Sequence, residues 1–167
     1  MTNIRNPQSE IPQLITSILA EPAIYSNDHF VVVADADPET PGHLLLLPRQ
    51  YAECMAETGV EELMATLKGL EMLLGEPYFL IERGRADFCS SFGTTYAHAH
   101  LIPSACFDGR DLPEGEVYVD LPKAIEIIGD NEYLLAGPLA GPFQICRPGL
   151  ANWPKRYART FIKPPLH

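Results

Sequence analysis

Apolar positions along this chain fall into two periods. In the first segment Ile11, Leu14, Ile15, Ile18 and Leu19 recur at helical spacing, with Ser9 as a cap, and Pro22 ends the run, so the pattern predicts a short amphipathic helix over 9–20. Ala23-Ile24-Tyr25, the polar Ser26-Asn27-Asp28 and the run His29 to Ala34 read as a hairpin whose second strand, with Val31-Val32-Val33, is central. The continuous apolar strand Leu44 to Leu47 is expected to be buried on both faces, with His43 at its entrance and Pro48 at its end. Between them lies Asp35-Ala36-Asp37-Pro38-Glu39-Thr40-Pro41-Gly42, a loop by its prolines, glycine and acids.

The strongest helix is predicted from Val60 onward. Thr58 and Glu61 form a capping-box pattern, Val60, Leu63, Met64, Leu67, Leu70 and Leu74 share one face, and Gly75 stops it. A strand from Tyr78 to Glu82 leads through the small and polar residues 83–93 to Thr94-Thr95-Tyr96-Ala97-His98-Ala99-His100-Leu101-Ile102-Pro103. After the polar loop at Asp108-Gly109-Arg110-Asp111 come a helix Leu121 to Ile128, capped by Asp120 with Pro122 in its first turn, and a strand pair at Tyr133–Ala136 and Phe143–Cys146. A basic helix from Trp153 to Ile162, capped by Asn152, closes the chain. Strands around one long helix, joined by short connections, predict an α+β domain with a mainly antiparallel sheet and flanking short helices. No linker divides residues 1–167, so one domain is expected, with a core over about 22–105 and the C-terminal strand pair and basic helix over about 130–163.

Composition narrows the function classes. A chain of 167 residues buries roughly 70% of its unfolded surface and needs no staple. Four scattered cysteines without a C-x-x-C pair, and no leader, predict free thiols and a cytoplasmic location without a structural zinc site. No apolar run reaches membrane-span length. The net charge of −10 argues against broad nucleic-acid binding. That charge is uneven: from Arg147 onward stand Arg147, Lys155, Arg156, Arg159 and Lys163 with no acid, leaving −15 on the part before. Such a tail either solvates a helix face or guides a small anion toward a pocket.

The chemistry concentrates at His98 and His100, two of five histidines. In an extended strand Tyr96, His98 and His100 point to one side. An imidazole there serves as nucleophile, general base or metal ligand. A metal site would need His43 or a carboxylate to join His98 and His100, and no carboxylate follows until Asp108. Catalysis on phosphorus needs a neutral imidazole held by an acceptor, with donors for the phosphate oxygens.

His98-Ala99-His100-Leu101-Ile102-Pro103 resembles the end of the histidine-triad (HIT) motif, in which three alternating histidines precede two apolar residues and often a proline. Phe30 to Asp35 and Pro38, then Pro41-Gly42-His43-Leu44-Leu45-Leu46-Leu47-Pro48, are similar to that superfamily's strand, loop and Pro-Gly-His strand. The resemblance covers about Ile24 to Pro103; the tail from Leu150 to Ile162 is similar in character to a longer branch. It implies a HIT-like fold, no cofactor, a homodimer, and a hydrolase or nucleotidyl transferase acting on phosphoanhydride or phosphoramidate bonds at the α-phosphate of a nucleotide. By alignment on Pro103, His98 is the nucleophile, His100 contacts the phosphate, His43 lines the pocket, Asp35 holds the ribose hydroxyls, and Tyr96 stands where the first histidine is expected. A register slid by two would make His100 the nucleophile and misplace the proline. Strict spacing puts Gly93 at the Ser/Thr position near the leaving group, with Thr94 adjacent as its substitute. The alternatives are a nucleotide-binding module that has lost efficient catalysis and a His-x-His metal-dependent enzyme.

Overall fold

A computed structural model describes residues 13–85, 96–148, 153 and 156–164. One eight-stranded sheet organises them: β1 (Tyr25–Ser26), β2 (Phe30–Ala34), β3 (Leu44–Pro48), β4 (Tyr78–Gly84), β5 (Ala99–Pro103), β6 (Gly115–Tyr118), β7 (Tyr133–Pro138) and β8 (Phe143–Cys146). Their order is β1-β2-β3-β5-β4-β7-β8-β6, and all neighbours pair antiparallel. With helices α1 (Gln13–Leu19), α2 (Val60–Leu73) and α3 (Leu121–Ile128), this is the α+β architecture that the alternation of apolar runs predicts. Among the described residues no helix is long and apolar enough to cross a membrane.

The two faces of the sheet have different covers. Phe30, Val32, Leu44, Leu46, Leu80, Ala99 and Leu101 face the side on which α2 buries Leu63, Leu67 and Leu70 and α3 buries Leu121, Ala124 and Ile128. Each such leucine contributes roughly 1.5–3 kcal/mol by leaving water. On the opposite face Val31, Val33, Leu45 and Leu47 pack with Ile15 of α1 and Tyr96. A second apolar group there joins Ile81, Ile102 and Leu134 to Ala158 and Phe161 from the C-terminal segment. His100 lies in register between Leu45 of β3 and Ile81 of β4, and so falls between these two groups.

Several local expectations are corrected. Thr58 does not cap α2: Gly59 is the N-cap, and the Thr58 hydroxyl instead donates to the Met55 carbonyl at 2.6 Å, because a 3-10 turn at Met55–Glu57 runs up to it. Met64 lies off the buried stripe at 43% exposure. Asp120 does cap α3, accepting from the Lys123 N–H at 3.2 Å. β6, where the sequence pattern assigns no element, is an exposed edge strand held by its ladder to β8. Gly115 is required there, since a Cβ would run into the Ile145 carbonyl.

The C-terminal helix expected over 153–162 is a 3-10 turn at Tyr157–Phe161. Arg156 enters it in the left-handed region at φ 59°, which no α-helix accommodates. Beyond it the chain is drawn into extended pairing: the Asp108 N–H donates to the Phe161 carbonyl and the Lys163 N–H to the Cys106 carbonyl, both at 2.7 Å. Ser9 and Asn152, the two other expected caps, lie outside the described residues. Cys54, Cys106 and Cys146 are buried free thiols.

Candidate functional site

The site begins with a turn that only its sequence allows. Gly42 adopts φ 80°, and a Cβ on it would crowd the Tyr78 hydroxyl and the Pro103 ring; that hydroxyl donates to the Gly42 carbonyl at 2.9 Å. The chain thereby re-enters β3 with His43 turned inward, 2% exposed. The loop before it is closed on itself: the Asp35 N–H donates to the His43 carbonyl at 3.0 Å and the Asp37 N–H to Asp35 Oδ1 at 2.9 Å. Finally, the Glu39 N–H donates to His43 Nδ1 at 3.1 Å.

That last bond determines the proton positions. Nδ1 of His43 must accept, so the neutral ring carries its proton on Nε2. His43 Nε2 lies 2.9 Å from His100 Nδ1 and 3.4 Å from Asp35 Oδ2. His100 Nδ1 is then the acceptor, and its own proton sits on Nε2. The strand expected through Tyr96 and His98 begins only at Ala99, so His98 stands just before β5 and makes a different contact: its Nδ1 is 2.9 Å from the Tyr96 carbonyl, which can only accept. The His98 proton is therefore on Nδ1 and the lone pair on Nε2. The His98 and His100 rings meet edge to face at 5.4 Å between centroids.

Burial keeps this cluster neutral. His98 and His100 are 8% and 3% exposed. Loss of water pulls the His100 pKa well below the ordinary histidine value, and the charges His98, His43 and Arg159 would place beside it act in the same direction. His98 is lowered chiefly by burial, against the hydrogen bond to the Tyr96 carbonyl. His43 is lowered by burial too, although the Asp35 carboxylate pulls the other way. Near pH 7 all three imidazoles are uncharged.

Asp35, His43 and His100 offer ligand atoms within 4.8 Å of one another, a spacing that could hold a metal ion. The hydrogen-bond pattern does not fit one. A metal-bound imidazole donates its other N–H outward, whereas the outer nitrogen of His43 accepts an N–H from Glu39. Asp35 Oδ2 is moreover taken by the Arg159 guanidinium at 2.6 Å.

Arg159 is the residue that sequence reasoning missed. It is 5% exposed, and its NH1 also donates to the Asp37 carbonyl at 2.7 Å and reaches Glu39 Oε1 at 3.5 Å. Arg156 next to it pairs with Asp37 at 2.7 Å. The available signal was the basic tail following an acidic Asp-x-Asp-x-Glu loop, read there as a solvated face or an anion guide.

Of the residues singled out in the sequence, Asp35, His43, His98 and His100 come together. Tyr96 is on the same side but sits in the apolar group with Leu45 and Leu47; its hydroxyl donates to the Pro48 carbonyl at 2.5 Å, and burial pushes its pKa up to about 12. Thr94 lies outside the described residues.

The HIT domain family matches residues 19–74, a span that contains Asp35 and His43 and stops before the histidine pair. An uncharacterized HIT-like protein of Methanocaldococcus jannaschii is 26% identical over 125 residues, which covers 70% of this chain and 95% of that one. Among solved structures, a HIT-like protein involved in cell-cycle regulation from Bartonella henselae is 19% identical, covers 54% of this chain and 73% of its own, and gives a TM-score of 0.35. The yeast Ap4A phosphorylase in complex with AMP is 11% identical over 74% of this chain and 57% of its own, with a TM-score of 0.44.

Proposed function

We propose that this chain is a member of the histidine-triad superfamily and a nucleotide hydrolase or nucleotidyl transferase in which His98 is the nucleophile. The observation that carries this reading is the Tyr96 carbonyl on His98 Nδ1, since it directs the lone pair to Nε2. The HIT domain match and the HIT-like relative support the nucleotide-handling class in general.

In the proposed reaction His98 Nε2 forms a bond to the α-phosphorus of a nucleoside phosphoramidate or dinucleoside polyphosphate. The bond from phosphorus to the leaving amine or phosphate breaks, and that group leaves with the bonding electron pair and takes up a proton. Water, or a second acceptor, then attacks phosphorus. The P–N bond to His98 breaks, the nucleoside monophosphate or its ester departs, and the imidazole recovers its lone pair. His100, with its proton on Nε2, donates to a phosphate oxygen; His43 holds it in that tautomer. Asp35 is assigned to the ribose hydroxyls through the acceptor capacity left on its carboxylate, and Thr94 to the leaving group. Tyr96 contributes its carbonyl, while its phenol anchors the approach to β5 at Pro48.

Turnover tests this directly. Purified protein should release a nucleoside monophosphate from a nucleoside phosphoramidate or a dinucleoside polyphosphate, and the His98→Ala variant should not. Equal turnover by both would refute the assignment. The competing reading, a nucleotide-binding module, takes its support from the phenol in place of a third imidazole. It predicts a calorimetric signal with nucleoside monophosphates and no turnover across the same substrates.

A further inference from the structure

The histidine site contains one full positive charge that the proposed chemistry does not use. Arg159 arrives from the far end of the chain, 124 residues from Asp35, and is buried against it. Without Arg159 the Asp35 carboxylate would stand 3.4 Å from His43 Nε2 with no buried counter-charge. A buried anion that close favours a charged imidazole. Charging His43 requires a proton on Nδ1, where the Glu39 N–H already points, so the two N–H groups would face each other and the loop bond would be lost.

We propose that Arg159 is a positioning residue of the histidine site: by closing on Asp35 it leaves His43 neutral, with its Nε2–H directed to His100 Nδ1. The groups facing this chain are few and identifiable. Asp35, Asp37 and Glu39 come from the loop before β3, His43 from the strand entrance, His98 from the residue preceding β5, His100 from β5, and Arg156 and Arg159 from the C-terminal turn. Arg159 acts on all three histidines in one direction, opposing their protonation, whereas Asp35 favours it at His43 and His98. Arg156 is 46% exposed on its side chain and pairs with the outer acids Asp37 and Glu39 rather than with Asp35, adding a smaller opposition to protonation of His100.

This inference rests on the proposed histidine site, yet it is read without turnover. The experiment is a pH titration of the imidazole signals of the full-length protein by NMR, with wild type compared to Arg159→Gln, Arg159→Lys, Asp35→Asn and the double variant Asp35→Asn/Arg159→Gln. Arg159→Gln should raise the midpoint of the His43 and His100 signals by about one pH unit or more. Arg159→Lys should restore most of the difference, and Asp35→Asn should lower the midpoints below wild type. If Arg159→Gln does not fold, the double variant carries the test, since it leaves no unpaired buried carboxylate: with Asp35 gone, losing Arg159 should leave the midpoints close to those of Asp35→Asn. Identical midpoints in Arg159→Gln and wild type, or a rise of about one pH unit or more from Asp35→Asn to the double variant, would overturn the proposal. A clear titration shift in a protein with no turnover would retain Arg159 as a positioning residue and reject the nucleophile assignment.

Discussion

The sheet buries a polar cluster on each face, and the two are built on opposite plans. On the α1 side, Asp35, His43, His98, His100 and Arg159 form a chain in which the carboxylate has a guanidinium partner and every imidazole has a directed contact. On the α2 side, Glu82 is 1% exposed and meets neutral donors: the Met55 N–H and the Tyr133 hydroxyl, both at 2.7 Å. Arg85, a basic side chain that acts on it, is engaged by Glu57 at 2.9 Å. Burial therefore pushes the Glu82 pKa up to about 7, and Tyr133 is raised well above the ordinary tyrosine value. A buried acid without a counter-ion ties the 3-10 turn at Met55 to β4 and β7. A buried acid with one stands beside histidines that burial keeps neutral.

The sharpest break in this comparison is a pair of substitutions read in two assays. His98→Ala should abolish nucleotide turnover, a loss on the order of a thousandfold or more, while changing stability by about 1 kcal/mol for the lost hydrogen bond. Glu82→Gln should leave turnover per folded molecule unchanged and act on stability alone. A variant at Glu82 that silences turnover would dissolve the distinction between the two clusters.

The second effect is the pH dependence, and its sign differs between the clusters. Glu82 has a folded pKa above its unfolded value, so its contribution is present below about pH 4.5 and is lost as pH rises through about 7. The whole difference is on the order of 3 kcal/mol. The histidines have folded pKa values below the unfolded one; their contribution is complete above about pH 6.5 and lost as pH falls. Urea unfolding should show Glu82→Gln close to wild type at pH 5 and more stable than wild type at pH 8. The same offset at both pH values would count against a raised carboxyl.

The smallest effect concerns Tyr96. Tyr96→Phe removes the donor to the Pro48 carbonyl and should cost about 1 kcal/mol in urea unfolding, with turnover held, because the phenol lies in the apolar group. A large fall in turnover at unchanged stability would bring the hydroxyl into the chemistry.

Much of this architecture was legible because local pattern and tertiary role agree. The Val31–Val33 and Leu44–Leu47 runs are buried strands, the stripe Leu63, Leu67 and Leu70 is core, and Asp120 with Pro122 starts α3. Where they disagree, the sequence misled. Thr58 satisfies a capping pattern, but the preceding 3-10 turn takes its hydroxyl. The sequence pattern assigns Gly-Glu-Val-Tyr no element, and the β8 ladder makes it a strand. In the candidate site, His98 and His100 could be singled out from the alternation expected of an extended strand, and Asp35 and His43 from the resemblance to the histidine-triad pattern, whose Pro-Gly-His turn is a local feature. Arg159 could not, because nothing between residues 35 and 159 states that a basic tail returns to an acidic loop. The carbonyl of Tyr96 was equally invisible: the side chain drew attention, and the backbone atom makes the contact with His98.

The most direct test of the central claim is to trap the intermediate. Protein turning over a substrate labelled at the α-phosphate should be quenched in base, where a phosphorus–nitrogen bond survives, digested, and mapped by mass spectrometry. The account predicts one nucleotidyl adduct, on His98, absent from His98→Ala. Turnover with no adduct, or an adduct on His100 or His43, would contradict it.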